Sequence, residues 1–535
     1  MAKSVDCAEQ RITSHIEDAA HSQYESDLDM SPPPLHCNSP VDPQAANDNP
    51  AKPFQSPWFA YTSGLAFLCG ASPRSHVESF MLTSLTVSQC AECSWSWAAL
   101  DFFTVGMTTT ELAIAFDKSV ADITWGLTIT LMLRSVGSIG FGLAADRYGR
   151  KWLFIVNNVL FVIIQLGTGF CQNYRQFLAC RALFGVAMGG IYGNAVVTSL
   201  EDCPSEARGV VSGLLQAGYT FGFILVTVFA RGLVDTTSHG WRPLYWFSAC
   251  PPILFIIFRL YLPETQAFLN RRAIRESSDS ATKTFLRETQ IGLRRHWLLL
   301  VYLVFLLGGL EFQTHGNQDL YPTMLKAQKE FSADAVTVTQ VVASLGAIAG
   351  FIVFGYASQI FGRRLSMIVG SIIGGALLYP YTFTNGTAII APAFFGQFFI
   401  LGIFGIVPIY LSELSPGSVR TFVVGTTYQL GSLVSSASST IEATLGERFP
   451  LPNTSNGVPR YDYGKVICIF TACAIVFDVF FLLIGPEKRA AHLDVARDDD
   501  LKHVVGENTI ENVLHAAPRT ANQDIEKAPA SQNRT

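Results

Sequence analysis
The chain has 535 residues, 49% hydrophobic and only 15% charged, and its net charge of −5 owes much to acidic residues in two polar tails. So little charge over this length excludes an ordinary soluble protein. The apolar residues fall in runs of about 20, the length that crosses a bilayer. The 11 cysteines show no paired metal-ligand spacing and Cys90–Cys93 is one isolated CxxC, so neither a metal nor a cofactor is expected.

Residues 1–56 are polar and rich in Ser, Pro, Asp and Asn, which predicts a disordered cytoplasmic tail. A first six-helix half is expected over 57–262, and its opening span is irregular. Trp58–Ala71 and Trp95–Met107 are apolar, with the polar segment 72–94 between them. Either that segment interrupts one helix, as an insertion or an unspliced stretch would, or residues 80–106 form the span and 58–71 lie elsewhere on the membrane. The sequence leaves both open. Clear spans follow at roughly 123–145, 152–171, 177–199, 209–233 and 241–262.

Residues 263–296 hold seven basic side chains from Arg271 to Arg295 and predict a cytoplasmic linker. A second six-helix half, 297–485, divides at roughly 297–325, 337–360, 365–384, 388–411, 421–445 and 464–485. Residues 486–535 form a second polar tail, expected to be disordered and cytoplasmic. With both ends inside, Asn385 and Asn453 become glycosylation sequons on the outer side.

In the span 297–325, Glu311, His315, Asp319 and Thr323 recur every fourth residue, so a helix carries them as one slanted stripe with Thr314 and Gln318 beside it. Ionisable groups in a membrane helix are costly unless they face a cavity or partners, which makes the stripe the candidate site. Pro322 removes a backbone hydrogen bond and predicts a break just past Asp319. Broken helices at membrane depth are where transporters bind substrates and ions. Arg134 and Asp101 are further ionisable groups in apolar surroundings. The fixed charge and planar fork of Arg134 suit a carboxylate; the other reading pairs it with Asp101 or another buried acid.

The two halves repeat each other. Gly142-x-x-x-Asp146-Arg147-x-Gly149-Arg150 closes the second span, and Gly355-x-x-x-Gln359-x-x-Gly362-Arg363 closes the eighth. Glu201-x-x-Pro-x-x-x-Arg208 follows the fourth span, and Glu413-x-x-Pro-x-x-x-Arg420 the tenth. This implies an all-α membrane protein of twelve transmembrane helices, two six-helix halves related by pseudo-two-fold symmetry about the membrane normal. The charged members of these loops are expected to hold the halves together in one state and release them in another; the alternative is a role in topology alone. No nucleotide, metal or nucleophile motif is present, so an enzyme is not expected.

These residues also carry a family resemblance. The Gly142–Lys151 loop resembles the signature of the major facilitator superfamily, and Arg181-x-x-x-Gly185-x-x-x-Gly189 its fourth-helix motif. Thr314-His315-x-Asn317-Gln318-Asp319-x-x-x-Thr323 resembles the seventh-helix motif of fungal Jen-type carboxylate:proton symporters, N-x-x-[ST]-H-x-[ST]-Q-D-x-x-x-T, and Tyr428-Gln429-Leu-Gly is similar to that family too. Glu311 stands where the family has Asn, and Asn317 where it has Ser or Thr.

The resemblance implies a monomeric, proton-coupled transporter of short-chain carboxylates, such as lactate, pyruvate, succinate or malate, working by alternating access in the plasma membrane. It implies substrate contacts from Arg134, Glu311, Thr314, His315, Asn317, Gln318, Asp319, Thr323 and Gln429, and proton coupling at His315, Asp319 and Asp101. The alternatives are an exporter of a secondary-metabolite acid, a sensor that binds a carboxylate without carrying it, or an inactive product of the disrupted first span.

Overall fold
The structure, a computed structural model, describes residues 76–514 apart from 235, 237, 279, 447, 453–459, 489–497 and 507. The N-terminal tail, the Trp58–Ala71 run and the Asn453 sequon lie outside the described residues.

Helices dominate, as apolar runs without water to satisfy the backbone require. The first helix, His76–Met107, continues after Thr108 into Thr109–Phe116 with a bend of 57°. It runs unbroken through the polar segment ending at 94, so the arrangement in which residues 80–106 form the span matches this helix. The next five are Val120–Tyr148, Arg150–Gly169, Tyr174–Leu200, Arg208–Leu233, and the pair Arg242–Ser248 and Pro251–Tyr261. The linker helix Gln266–Glu276 precedes the seventh, Ala281–Gln318, which kinks at His296 where the polar approach meets the span. The eighth to tenth cover Ala333–Phe361, Arg363–Phe383 and Gly386–Leu414; the last includes two 3-10 segments. The eleventh is Arg420–Ser435 prolonged by Ser438–Gly446, and the twelfth is Tyr463–Ile484. Ten of these are long and apolar enough to cross a bilayer by themselves and the bent first helix makes an eleventh. The remaining one, the eleventh helix, is split into pieces of 16 and 9 residues.

Lipid-facing flanks keep large apolar side chains exposed, among them Trp152, Tyr261 and Val476. The fourth helix instead is buried along most of its length, continuously from Met188 to Leu200. Its small-residue face explains why: a Cβ at Gly185 would press on the Thr130 carbonyl, at Gly189 on the Arg134 carbonyl, and at Gly193 on the Thr421 carbonyl. The second and eleventh helices therefore lie directly against it.

Pseudo-symmetry shows in the turns. Gly149 and Gly362 take φ of +106° and +100°, a region that disfavours a side chain. Beside each, a glutamate accepts from the following backbone: Glu264 from the Lys151 N–H at 3.0 Å, and Glu487 from the Arg363 N–H at 2.8 Å. Gly142 abuts Phe422, and Gly355 meets Gly209, so the two glycine positions mark equivalent crossings between halves.

The C-terminal region departs from the expected disordered tail. Asp499–Val505 is helical, and Leu501 and Ile510 pack with Ile274 of the linker helix. Asp498 pairs with Arg271 at 2.6 Å, and Asp500 with Arg295 and His296. Buried linker arginines need carboxylates: this segment supplies Asp498 to Arg271, and Glu288 bridges Arg271 and Arg275.

Candidate functional site
The seventh helix ends at Gln318, with Asp319 as its C-cap, and resumes as Tyr321–Thr323 before a π turn over Met324–Gln328. This is the break that Pro322 predicts. The i, i+4 spacing places His315 between two carboxylates of its own helix. Its Nδ1 is 3.1 Å from both Asp319 oxygens, and its Nε2 is 3.7 Å from Glu311 Oε2. Ser432 of the eleventh helix donates to Glu311 Oε1 at 3.0 Å, and the Ser438 hydroxyl lies 3.5 Å from Asp319 Oδ2.

This row forms one wall of a cavity of about 500 Å³ between the halves. Arg134, 3% exposed, lines it from the second helix, its guanidinium 5.8 Å from the centre of the Phe102 ring and near the Tyr219 hydroxyl. Its Nε has no hydrogen-bond partner among the described residues. An arginine with an unused donor, facing a cavity, can accept an anion's oxygens. The other walls carry several aromatic side chains, including Phe103, Phe223, Phe351, Phe404 and Tyr428. Tyr428 stacks on Tyr192 at 3.8 Å, and Trp95 packs on both Tyr192 and Tyr219, which stiffens this side.

Of the residues expected in the site, Arg134, Glu311, Thr314, His315, Gln318 and Asp319 meet on this cavity. Asn317, Gln429 and Thr323 do not line it. Asn317 and Gln429 are fully buried away from it, and Thr323 is exposed on the short helix after the break. Two residues on from His315, Asn317 falls on the rear of the helix, buried, and its backbone carbonyl accepts from the Tyr381 hydroxyl. Asp101 is also elsewhere: it sits inside the first half beside Gln165, Ser248 and Arg181, rather than with Arg134. Arg181 itself donates to Gln165 and Thr168 at 2.6 and 2.7 Å.

On the linker side, charges tie the halves together. Asp146 accepts the backbone N–H groups of Thr421 and Phe422 at 3.1 and 2.9 Å, an anion on a helix N-terminus. Glu201 bridges Arg150 of its own half and Arg420 of the other, at 3.1 and 3.0 Å. The second half closes its own loop, Arg363 gripping Glu413 through two nitrogens. Two expected partners differ. Arg147 reaches the Thr282 hydroxyl on the linker approach, and Arg208 donates to the Cys203 carbonyl.

Ser432, Tyr219, Gln216 and Tyr428 line the cavity without having been expected there. The only sequence cue for them was the Tyr428-Gln429 motif, whose tyrosine and not its glutamine faces the cavity.

A family model described as "Sugar (and other) transporter" matches residues 80–295 and 273–495. The chain is 41% identical over 411 residues to the carboxylic acid transporter protein homolog of Saccharomyces cerevisiae, covering 74% of this chain and 67% of that one. It is 26% identical over 350 residues to the cis,cis-muconate transport protein of Acinetobacter baylyi, covering 65% and 83%. Among solved structures, the major facilitator superfamily proton:xylose symporter XylE bound to 6-bromo-6-deoxy-D-glucose aligns with a TM-score of 0.61 at 17% identity, over 79% of this chain and 99% of that one.

Proposed function
The chain belongs to the sugar (and other) transporter family, with the major facilitator fold, and from that premise we propose that it carries short-chain carboxylates together with protons by alternating access. It is a multi-pass membrane transporter and not an enzyme. The carboxylate reading is supported by the yeast relative's description and carried by one observation: Arg134 and the Glu311–His315–Asp319 row line the same cavity.

The chemistry follows from charge. Arg134 receives the substrate carboxylate through its planar fork. An anion entering beside Glu311 and Asp319 is repelled while both are ionised, and a proton taken up by the row removes one negative charge. Anion and proton then raise each other's affinity by the same factor, which is the thermodynamic content of symport. His315 is suited to hold that proton, because its two ring nitrogens face Glu311 and Asp319 and the imidazolium is paired on both sides. Gln318 and Thr314 offer uncharged hydrogen bonds to the remainder of the substrate.

The halves rock about this site. Asp146 of the second helix, bound to the N-terminus of the eleventh, and Glu201 with Arg420 latch the linker side, and these contacts break when that side opens. The basic linker supports a cytoplasmic position for the linker and both termini.

The test is uptake of labelled lactate, pyruvate, succinate and malate into liposomes holding the purified chain, at two external pH values, with wild type and Arg134→Lys. Gradient-driven uptake that collapses in Arg134→Lys, with insertion intact, is the expected result. Uptake of no carboxylate by wild type, or normal uptake by Arg134→Ala, overturns the reading.

A further inference from the structure
Glu442 lies on the distal piece of the eleventh helix, Ser438–Gly446, beyond the cavity and away from the linker. It is 0% exposed, and neither carboxyl oxygen has a hydrogen-bond partner among the described residues. A carboxyl taken out of water with nothing to satisfy it is expensive, and such groups inside membranes mark ion and proton pathways. Its position is specific. A Cβ at Gly316 would stand 3.2 Å from Glu442 Oε1, so the carboxyl lies against the turn of the seventh helix that carries His315 and Asp319. The charged side chains whose field reaches it are Asp319 and His315. From the ninth helix the titratable neighbour is Tyr381. From the twelfth, Phe470 faces the same Gly316, and Tyr463 lies against Gly446, one turn past Glu442. One turn before Glu442, Ser438 presents its hydroxyl 3.5 Å from Asp319 Oδ2. Ser438 and Glu442, four apart, share one face of their helix.

We propose that Glu442 is a second proton-binding group of this transporter, passing a proton through the Ser438 hydroxyl to the Asp319–His315 pair from the end of the cavity distant from the linker. The proposal rests on the proton-coupled reading above. In the step, the Glu442 carboxyl turns to Ser438 and its O–H breaks to leave a carboxylate, Ser438 accepts that proton and gives up its own to Asp319 Oδ2, and Asp319 becomes a neutral carboxylic acid beside His315. Net charge of the group is unchanged, so the transfer places no new charge in the membrane. Glycine at 316 leaves room for the carboxyl to approach.

The full-length protein in liposomes separates this role from substrate binding. Two readouts are compared, with labelled lactate and labelled succinate as probes: accumulation driven by an inward proton gradient, and substrate-for-substrate counterflow at equal pH. Glu442→Gln, close in shape and unable to ionise, should lose accumulation by at least about tenfold and keep counterflow within about twofold of wild type. Glu442→Asp should regain accumulation with a displaced pH profile. Wild-type accumulation in Glu442→Gln, or equal loss of both readouts in correctly inserted protein, overturns the proposal. Should Glu442→Gln fail to insert, Glu442→Asp decides, and an unshifted pH profile overturns it. Absence of gradient-driven accumulation in wild type instead overturns the symport reading itself, and this inference with it.

Discussion

His315 Nδ1 stands 3.1 Å from both carboxylate oxygens of Asp319, one turn further along the same helix. With its Nε2 3.7 Å from Glu311, the imidazole is held between two acids and can take a proton without leaving its place. The contact with Asp319 holds the ring's orientation towards the cavity. Such a group senses pH through its neighbours as well as through the bulk.

Replacing His315 by Ala should therefore flatten the pH dependence of uptake while weakening substrate affinity much less. Coupling energies between sites are usually about 1–3 kcal/mol, so the pH-dependent part should fall by roughly 5- to 150-fold. Initial rates across pH at saturating substrate measure this. An unchanged profile at retained rate would move coupling to Asp319 or Glu311.

Gly189 controls where Arg134 stands. A Cβ there would overlap the Arg134 carbonyl and press on the Ser138 N–H, both backbone atoms that cannot yield cheaply. Gly189→Ala should push the second helix away, at about 1–3 kcal/mol, and displace Arg134 from the cavity wall. Gly140→Ala, on the second helix itself with nothing within 4 Å, is the control and should be near neutral. Thermal stability in detergent and uptake rate should both fall for the first and neither for the second.

Local periodicity made much of this legible in the sequence. Glu311, His315 and Asp319 needed only a helix to align, and Pro322 announced the break after them. The repeated Gly-x-x-x-(Asp/Gln) and Glu…Arg loops pointed to two equivalent halves, which Gly149 and Gly362 display with the same positive φ. What failed was rotation about the helix. Asn317 belongs to the motif by position, yet at about 100° per residue it faces away from His315. Gln429 is hidden for the same reason behind Tyr428.

Long-range partners were not legible at all. Asp101 looked like a lone acid because Arg181 and Gln165, its neighbours, are far off in the chain. Glu442 sits on the short, broken end of the eleventh helix, and only folding brings it to Gly316. Leu501-x-x-Val504-Val505 and Ile510-x-x-Val513-Leu514 carry helical spacing, but only folding shows that Leu501 and Ile510 find their cover on the linker.

That docked segment has its own pH dependence. Burial raises the Asp498 carboxyl, but the Arg271 guanidinium and the Leu501 N–H outweigh it and hold the group below its ordinary 3.8. A lowered carboxylate pKa contributes stability above 3.8 that is lost as pH falls through the folded value. Amide-exchange protection of residues 499–505, corrected for intrinsic rates, should hold from neutral pH down to about 4 and decline below it. Asp498→Asn should lower that protection already at neutral pH, by about 2 kcal/mol for a charged hydrogen bond. Equal protection in both proteins at neutral pH would show that the apolar contacts of Leu501 and Ile510 hold the segment without the ion pair.

Glu311 distinguishes this cavity from the Jen-type motif, which has a neutral amide at that position. Its Oε1 accepts from Ser432 and its Oε2 faces His315, so both oxygens are committed to groups that line the cavity. Ionised, it competes with an anionic substrate for Arg134 and His315. Protonated, it can donate a hydrogen bond to a second substrate carboxylate, which favours longer or more hydroxylated acids. Glu311→Asn removes the charge but keeps a group able to accept from Ser432. It should raise affinity for short monocarboxylates, reduce the benefit of acid pH, and lower succinate uptake relative to lactate. A selectivity change of about tenfold corresponds to 1.4 kcal/mol, within reach of one charged hydrogen bond. Competition assays measuring lactate against succinate at two pH values, in wild type and Glu311→Asn, read both effects. Identical ratios in the two proteins would mean that Glu311 serves only to hold the eleventh helix through Ser432, and that His315 and Asp319 alone set the charge the substrate meets.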